Sequence, residues 1–578
     1  NFHAINILKQ AFVHKIKYVY IDPPYNAQSS EILYKNSFKH SSWCTLVENR
    51  LKLSKALLSN DFVYTVAIDE IENHRLGMML SDIFSLNTGN TSVSVVINPS
   101  GQQGKNFSTT NEHLHFIYTD NNDMLAKEIR DEKNADVRGF MNGAKGAGGN
   151  YLRSSGKTCF YPIYVQDNKI IGFGDVSPDS FHPASANIVK NGVTEIYPVD
   201  NDGVERKWLF GRDTVEEIKN ELSVKINKNS GLLEIIRTKQ AINYKTAWNN
   251  PMHSAKEYGT GVLTRMFRET PFSFPKSVYA VQECIDISCN HQNDAFILDY
   301  FAGAATTAHA TILSNICNQE NKKFILVEMG TYFKTATLPR VKKVLYASHP
   351  KSWSQGKPVI RDNGYSAFVK YFNLESYEDA LSNVELPEDK SVERMVSLFG
   401  DEYLIKYMLD LDTAGSVLNL AAFNDPFDYK LKVTEKNETK EVNADLMETF
   451  NYLIGLTVDK MYARKIFSAS PDPAGEYEGA VKLTGNDNGE YIFRQIEGTL
   501  PSGERALIIW RNITDNLLES NAALDAYFQR YRINPADREY DVIYVNGDNN
   551  IANLKSTEET WKVRMIEPEF KTRMFEEE

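Results

Sequence analysis

The chain has 578 residues, room for three or four domains at about 150 residues each, so a small peptide-like module is excluded. Its 64 Lys and Arg against 76 Asp and Glu leave a formal charge of −12, which repels a polyanion over most of the surface and confines any nucleic-acid site to a local basic patch. No apolar stretch approaches the ~20 residues that span a bilayer, no signal-peptide pattern opens the chain, and five scattered cysteines without a CxxC pair argue against a disulfide framework or a zinc site. The expectation is a soluble, cytoplasmic protein with no metal.

The sequence opens at Asn1 inside a helical pattern without an initiator Met, and an upstream segment is expected. From Lys17 to Tyr118, short β-branched runs alternate with helical patterns: a strand at Tyr18 to Ile21, a helix at Trp43 to Leu58, a strand at Phe62 to Ile68 and a helix at Ile71 to Phe84. This is the grammar of parallel strands crossed by helices. Ser92 to Asn98 and Leu114 to Tyr118 read as further strands at the far edge of the same sheet.

The first strand runs into Asp22-Pro23-Pro24-Tyr25, with Asn26 behind it. The prolines stiffen the backbone and keep it out of a helix. Asp22 and the Pro23 carbonyl are then two acceptors beside a flat aromatic face. Such a pair fits an exocyclic amine: two acceptors hold both hydrogens of an NH2 and aim its lone pair at an electrophile. Tyr25 is the first choice to stack on the ring carrying that amine, with Phe38 and Trp43 as second choices.

Residues 121 to 240 are polar and glycine-punctuated, with short strands at Thr158 to Val165, Lys169 to Phe173, Val193 to Val199 and Lys207 to Phe210. They read as an inserted, less regular domain. Its stretch Arg138 to Lys157 carries Arg138, Lys145, Arg153 and Lys157 and no acid. Glycine-rich and cationic, it suits phosphate contacts or is only a solvated surface loop.

Alternation then resumes, with a strand at Ala295 to Asp299, a helix at Thr306 to Asn315 and a strand at Phe324 to Val327. Between the first two lies Asp299-Tyr300-Phe301-Ala302-Gly303-Ala304-Ala305-Thr306-Thr307. Small residues let a ligand approach the backbone, and a helix N-terminus with two hydroxyls favours a carboxylate or phosphate. Glu328 ends the next strand, where an acid can accept from both ribose hydroxyls of a nucleoside cofactor. His113 and His309 are isolated and read as structural or surface residues. Ser348 to Gly364 reads as a linker. Beyond it come helical stretches at Val392 to Leu411 and Asp445 to Tyr462, then strand, helix and strand at Ala506 to Trp510, Leu517 to Tyr531 and Tyr540 to Val545.

The two motifs resemble the catalytic and S-adenosylmethionine motifs of β-group amino DNA methyltransferases, in the permuted order with the catalytic motif first. Tyr34 to Trp43, Ala67-Ile68-Asp69-Glu70, Lys105 to Thr110, Phe274-Pro275-Lys276-Ser277, Tyr371 to Glu378 and Tyr544 to Asp548 extend the resemblance to modification (Mod) subunits of type III restriction-modification systems. The resemblance implies an α/β, Rossmann-like methyltransferase sheet with an inserted target-recognition domain and a separate α+β C-terminal region. It implies a catalytic half at 1–120, target recognition at 121–245, a cofactor-binding half at 246–350 and a C-terminal region at 351–578. The implied reaction is methyl transfer from S-adenosylmethionine to the N6 amine of a flipped adenine in double-stranded DNA. The catalytic set is Asp22, Pro23, Pro24 and Tyr25; the cofactor set is Lys276, Asp299, Phe301, Gly303, Thr306, Thr307 and Glu328. A homodimer and a restriction (Res) helicase-nuclease subunit are the implied partners. The alternatives are cytosine-N4 methylation, methylation of RNA or protein amides, and a non-catalytic DNA-specificity subunit. Two departures bear on cofactor affinity: Ala305 stands where a second glycine is common, and Ser277 where a second proline often follows the lysine.

Overall fold

The computed structural model describes residues 1–26, 39–84, 88–104, 106–119, 124–130, 135–143, 149–228, 230–290, 292–348, 353, 364–376, 379, 423–435, 438–475, 477–554 and 561–575. The chain divides into two compact units, one comprising Asn1–Met124 and Ala247–Glu578, the other Leu125–Thr246.

The first unit is built on a seven-stranded sheet. In chain order its strands are β1 (Ile16–Ile21), β2 (Leu58–Ile68), β3 (Thr88–Val96), β4 (Asn111–Thr119), β5 (Ala247–Trp248), β6 (Phe296–Asp299) and β7 (Lys323–Leu326), and they lie side by side as β5-β3-β4-β2-β1-β6-β7. β1 pairs in parallel with both β2 and β6, and β6 in parallel with β7. The two runs read as a far edge are in this sheet, but β4 is threaded between β2 and β3 and runs antiparallel to both. β1 is buried along its whole length, as a central strand covered on both faces must be. Its one charge, Lys17, is met by Asp61 Oδ2 at 3.0 Å.

The helices that cover the sheet are α1 (Phe2–Phe12), α2 (Lys39–Ser54), α3 (Asn73–Ile83), α4 (Val278–Cys289), α5 (Thr306–Asn318) and α6 (Thr337–Tyr346). Trp43, Val47 and Leu51 of α2 and Leu76 and Leu80 of α3 form one core with Val19, Ile21, Val66 and Ile68 of the sheet. Residues 306–315 of α5 are buried without a break; the small Ala305 and Ala308 let Val341 of α6 pack directly against them. Because β1, β6 and β7 are parallel, their carboxyl ends share one edge of the sheet. That edge is where open α/β sheets bind ligands, and it carries Asp22, the 299–307 turn and Glu328.

The C-terminal residues contribute a second seven-stranded sheet to this unit. Its helix Leu517–Tyr531 crosses between the parallel strands Arg505–Arg511 and Val542–Val545. The single helix read over 445–462 is instead a helix at Leu446–Leu453 followed by a strand at Thr457–Met461. Gly455, at φ 68°, is the left-handed residue that stops the helix. The helix read at 392–411 and most of the 348–364 linker lie outside the described residues.

The second unit is antiparallel β structure. A four-stranded sheet (Lys169–Phe173, Ile163–Gln166, Val193–Ile196, Asn187–Lys190) and a three-stranded one (Leu222–Ile226, Leu233–Lys239, Asp136–Gly139) enclose Phe140, Tyr161, Trp208 and Ile235. The run 207–210 is not a strand. Trp208 makes one isolated bridge to Met141 and buries its indole, which donates to the Tyr161 carbonyl at 2.8 Å. No described helix is long and apolar enough to cross a membrane.

Candidate active site

The 22–25 corner leaves β1 immediately after Ile21 and is fixed from behind. Trp43 Nε1 donates to the Pro24 carbonyl at 2.7 Å, and the Trp43 ring is wholly buried in the α2 core. Asn26 takes a left-handed φ of 61°, a conformation asparagine tolerates better than most residues. Its Nδ2 donates to the buried Glu72 Oε1 at 2.6 Å, so the chain turns away from the corner in one fixed direction.

Among the described residues, the front of the corner holds four polar side chains. Tyr25 Oη donates to Glu112 Oε2 at 3.0 Å. Lys276 Nζ lies 2.7 Å from Glu112 Oε2 and 3.2 Å from Asp22 Oδ1, and donates to the Tyr25 hydroxyl. It lies 4.3 Å from the centroid of the Tyr25 ring, at the hydroxyl edge. Asp22 Oδ1 is shut off from solvent and, among the described residues, accepts no hydrogen bond of good geometry; its nearest cation is Lys276. Burial pushes the Asp22 carboxyl above the usual range, Lys276 pulls it back and Glu112 pushes it further. Burial works to lower the Lys276 ammonium, but Asp22 and Glu112 together outweigh it and hold its pKa above the ordinary lysine value.

At the end of β6 the turn is tied internally. Asp299 Oδ1 accepts from the Phe301 N–H at 3.0 Å, and its Oδ2 accepts from the Thr307 hydroxyl. Burial lifts the Asp299 carboxyl to about 7, against the pull of those two donors. Gly303 has φ 49°, and a Cβ there would meet Phe272 at 3.0 Å. Its N–H donates to Glu328 Oε2 at 2.7 Å, while Glu328 Oε1 accepts from Gly330 N–H at 2.7 Å and Tyr332 Oη at 3.0 Å. Oε1 has both lone pairs engaged and Oε2 keeps one, so Glu328 can still accept from one further donor. Ala305 does adopt the left-handed conformation a glycine would favour, φ 61°, and is fully buried. Ser277 has its own use: it caps α4 by accepting from Ala280 N–H, and it donates to the Met252 carbonyl.

Several expected site residues stand elsewhere than the sequence suggested. Lys276, expected on the cofactor side, reaches the Asp22 corner because two carboxylates draw it there. The Thr306 and Thr307 hydroxyls are both engaged inside the protein, Thr306 by Arg340 at 3.0 Å and Thr307 by Asp299. Phe301 packs at the margin of the β1 core. In the second unit Arg153 is buried: it pairs with Glu205 at 3.0 Å, donates to the carbonyls of Ser177, Pro178 and Phe181, and lies over the Phe160 ring. Its donors face the domain interior. Arg138 and Lys157 are exposed, beside Asp136 and Asp179 respectively. Lys145, Phe38, the rest of 34–38, and Lys105 lie outside the described residues. His309 is buried and accepts from Arg340.

Sequence reasoning missed Glu112, Glu72, Arg340 and Phe272. Arg340 is wholly buried and supports the turn from below, donating to the Ala304 carbonyl at 3.0 Å. Phe272 packs edge-on to Tyr332 over Gly303, with centroids 4.8 Å apart. None of the four belongs to a local motif; each acquires its place only through the sheet order.

Curated relatives point the same way as this geometry. The type II methyltransferase M.KpnI of Klebsiella pneumoniae is 27% identical over 331 residues, 54% of this chain and 75% of that protein. The type III restriction-modification enzyme EcoPI Mod subunit of Escherichia phage P1 is 24% identical over 379 residues, 57% of this chain and 56% of its own. The EcoP15I Mod subunit of Escherichia coli is 24% identical over 375 residues, 57% of each. The chain thus spans little more than half the length of the two Mod subunits. Residues 16–338, more than half of the chain and including both motifs, match the DNA methylase family N6_N4_Mtase, and the chain belongs to that family.

Proposed function

We propose that the chain is the modification subunit of a type III restriction-modification system, a site-specific methyltransferase that acts on the N6 amine of an adenine rotated out of duplex DNA. The observation that carries this reading is the pairing of β1 with β6. Val19 lies opposite Leu298, so the amine-binding corner and the glycine turn open side by side at one sheet edge.

The turn residues fit S-adenosylmethionine. Gly303 leaves a space that a Cβ would fill, the Phe272 and Tyr332 rings wall it, and Glu328 has acceptor capacity at the ribose position. When bound, that cofactor supplies an electrophilic methyl group on a sulfonium. The chain's own residues do the rest. Ionised Asp22 is acceptor-only; with the Pro23 carbonyl it takes both hydrogens of the target amine and leaves the nitrogen lone pair facing the 299–307 turn. Tyr25 supplies an aromatic face. Rotating a base out of the helix costs a few kcal/mol, and base–aromatic stacking returns about 1–3 kcal/mol, so the single ring of Tyr25 offsets much of the cost but not all.

In the second unit, Arg138 and Lys157, with Lys145, are the candidates for phosphate contact. A homodimer and a Res subunit are the proposed partners. The test is incubation with labelled S-adenosylmethionine and unmethylated bacterial DNA, followed by digestion to nucleosides. N6-methyladenine supports the reading; N4-methylcytosine points to the cytosine alternative, and no label to a specificity subunit without catalysis.

A further inference from the structure

Lys276 has a geometry that cofactor binding does not explain. Its ammonium lies 3.2 Å from Asp22 Oδ1 and donates to the Tyr25 hydroxyl at the edge of the ring. The first of these is a place that the proposed reaction assigns to the substrate, an N–H donor beside Asp22. A nitrogen carrying hydrogens, set beside that carboxylate at the rim of the Tyr25 ring, imitates the target amine. The imitation is imperfect, since Oδ1 still accepts no well-aligned hydrogen bond. Lys276 has a closer partner on the other side, Glu112 Oε2 at 2.7 Å, and Glu112 also receives the Tyr25 hydroxyl.

We infer that Lys276 is a positioning residue that stands in for the target amine while the site awaits its base, and that Glu112 is the anchor onto which it withdraws when the base enters. This rests on the methyltransferase reading above. The physical logic has two parts. A buried carboxylate with no partner takes up a proton, and a protonated Asp22 would present a donor to the amine it must accept from. Lys276 keeps it ionised. An ammonium bound to Asp22 alone would compete with the substrate; the second carboxylate gives it somewhere to go. Among the described residues, the other groups facing Asp22 are Tyr20 on β1, Tyr25 and, on the neighbouring strand, Asp299; Asp69 and His113 face Glu112. Burial lowers the pKa of the His113 imidazole, and none of the others can carry a positive charge.

The experiment is the pH dependence of single-turnover methyl transfer to unmethylated bacterial DNA at saturating S-adenosylmethionine, with cofactor affinity measured in parallel by calorimetry to confirm folding. Lys276→Met should move the acidic limb to higher pH, by about 1–3 units for loss of an opposite charge at this range. Glu112→Gln should move it the other way, since Lys276 is then left to Asp22 alone, and should raise KM for DNA several-fold more than it lowers kcat. Lys276→Arg should leave the limb near its original position. Limbs that stay fixed in both variants, or move in the same direction, overturn the inference. If Lys276→Met does not fold, the opposite shift and KM change in Glu112→Gln still decide. A parent protein that methylates no DNA removes the underlying reading instead, and is thereby told apart from failure of this inference.

Discussion

The indole N–H of Trp43 donates to the carbonyl of Pro24 at 2.7 Å, which fixes the rear of the corner that presents Asp22 and Tyr25. A stiff dipeptide alone would not set the direction of the Pro23 carbonyl. The buried indole and the Asn26–Glu72 bond together hold it. Trp43→Phe keeps an aromatic ring in the core but removes the donor, leaving one backbone carbonyl unpaired, and part of the buried indole, leaving a small cavity. We expect a loss of about 1–3 kcal/mol in stability and a reduced methyl-transfer rate at unchanged cofactor affinity, read by denaturant titration, single-turnover assay and calorimetry.

The cofactor turn should respond differently at two neighbouring positions. At Gly303 a side chain meets Phe272 and the backbone is left-handed, so Gly303→Val should weaken S-adenosylmethionine binding at least tenfold in calorimetry. At Ala305 the left-handed backbone already carries a Cβ, at a cost of roughly 1–2 kcal/mol. Ala305→Gly relieves that strain, but it gives the unfolded chain more freedom, worth ~0.4–1 kcal/mol in the other direction, and removes a buried methyl that packs against Val341, worth ~0.8 kcal/mol. The net expectation is a nearly unchanged melting temperature with cofactor affinity retained.

How legible this site was in the sequence follows from how each residue is placed. Asp22 through Tyr25 and Asp299 through Thr307 were readable because each lies in a contiguous stretch directly after a β-branched strand. Glu328 was readable from its place at the end of the following strand. Glu112 was not: it opens an antiparallel strand, and it meets Lys276 only because β4 is threaded beside β2. Lys276 was picked out for its motif, yet the motif could not say that its long flexible side chain reaches Asp22 and Glu112. Arg153 shows the opposite error. A cation among glycines looks like a phosphate contact, but here the charge holds three carbonyls and Glu205 inside its own domain.

Asp299 should make stability depend on pH. Burial raises its carboxyl from the usual 3.8 to about 7, so the folded state holds this proton more tightly than the unfolded chain. The contribution is therefore fully present below about pH 4 and is lost as pH rises through about 7. Asp299→Asn removes the dependence while its amide can still serve Phe301 and Thr307. Relative to the parent, the variant should gain on the order of 2 kcal/mol between pH 5 and pH 8, measured by denaturant titration at both.

The basic residues of the second unit should separate into two classes. Arg153→Ala strips a buried charge pair of one partner and should cost about 3–5 kcal/mol, visible as unfolding of that unit. Arg138→Ala with Lys157→Ala should leave stability nearly unchanged. If both touch phosphates, the double substitution should also weaken DNA binding across all sequences and make the salt slope shallower by about 0.9 log units for each phosphate no longer neutralised. An unchanged slope would assign the phosphate path to other residues.

The most direct measurement of the central claim is base-resolved sequencing, by a method that detects methylated adenine, of DNA incubated with S-adenosylmethionine and either the parent protein or Asp22→Ala. The account predicts N6-methyladenine at one recurrent sequence with the parent. With Asp22→Ala it predicts none, although that variant still folds and binds the cofactor, because the side chain removed touches the reacting amine and not the turn. Equal methylation by the two proteins, or modification of cytosine in place of adenine, would contradict it.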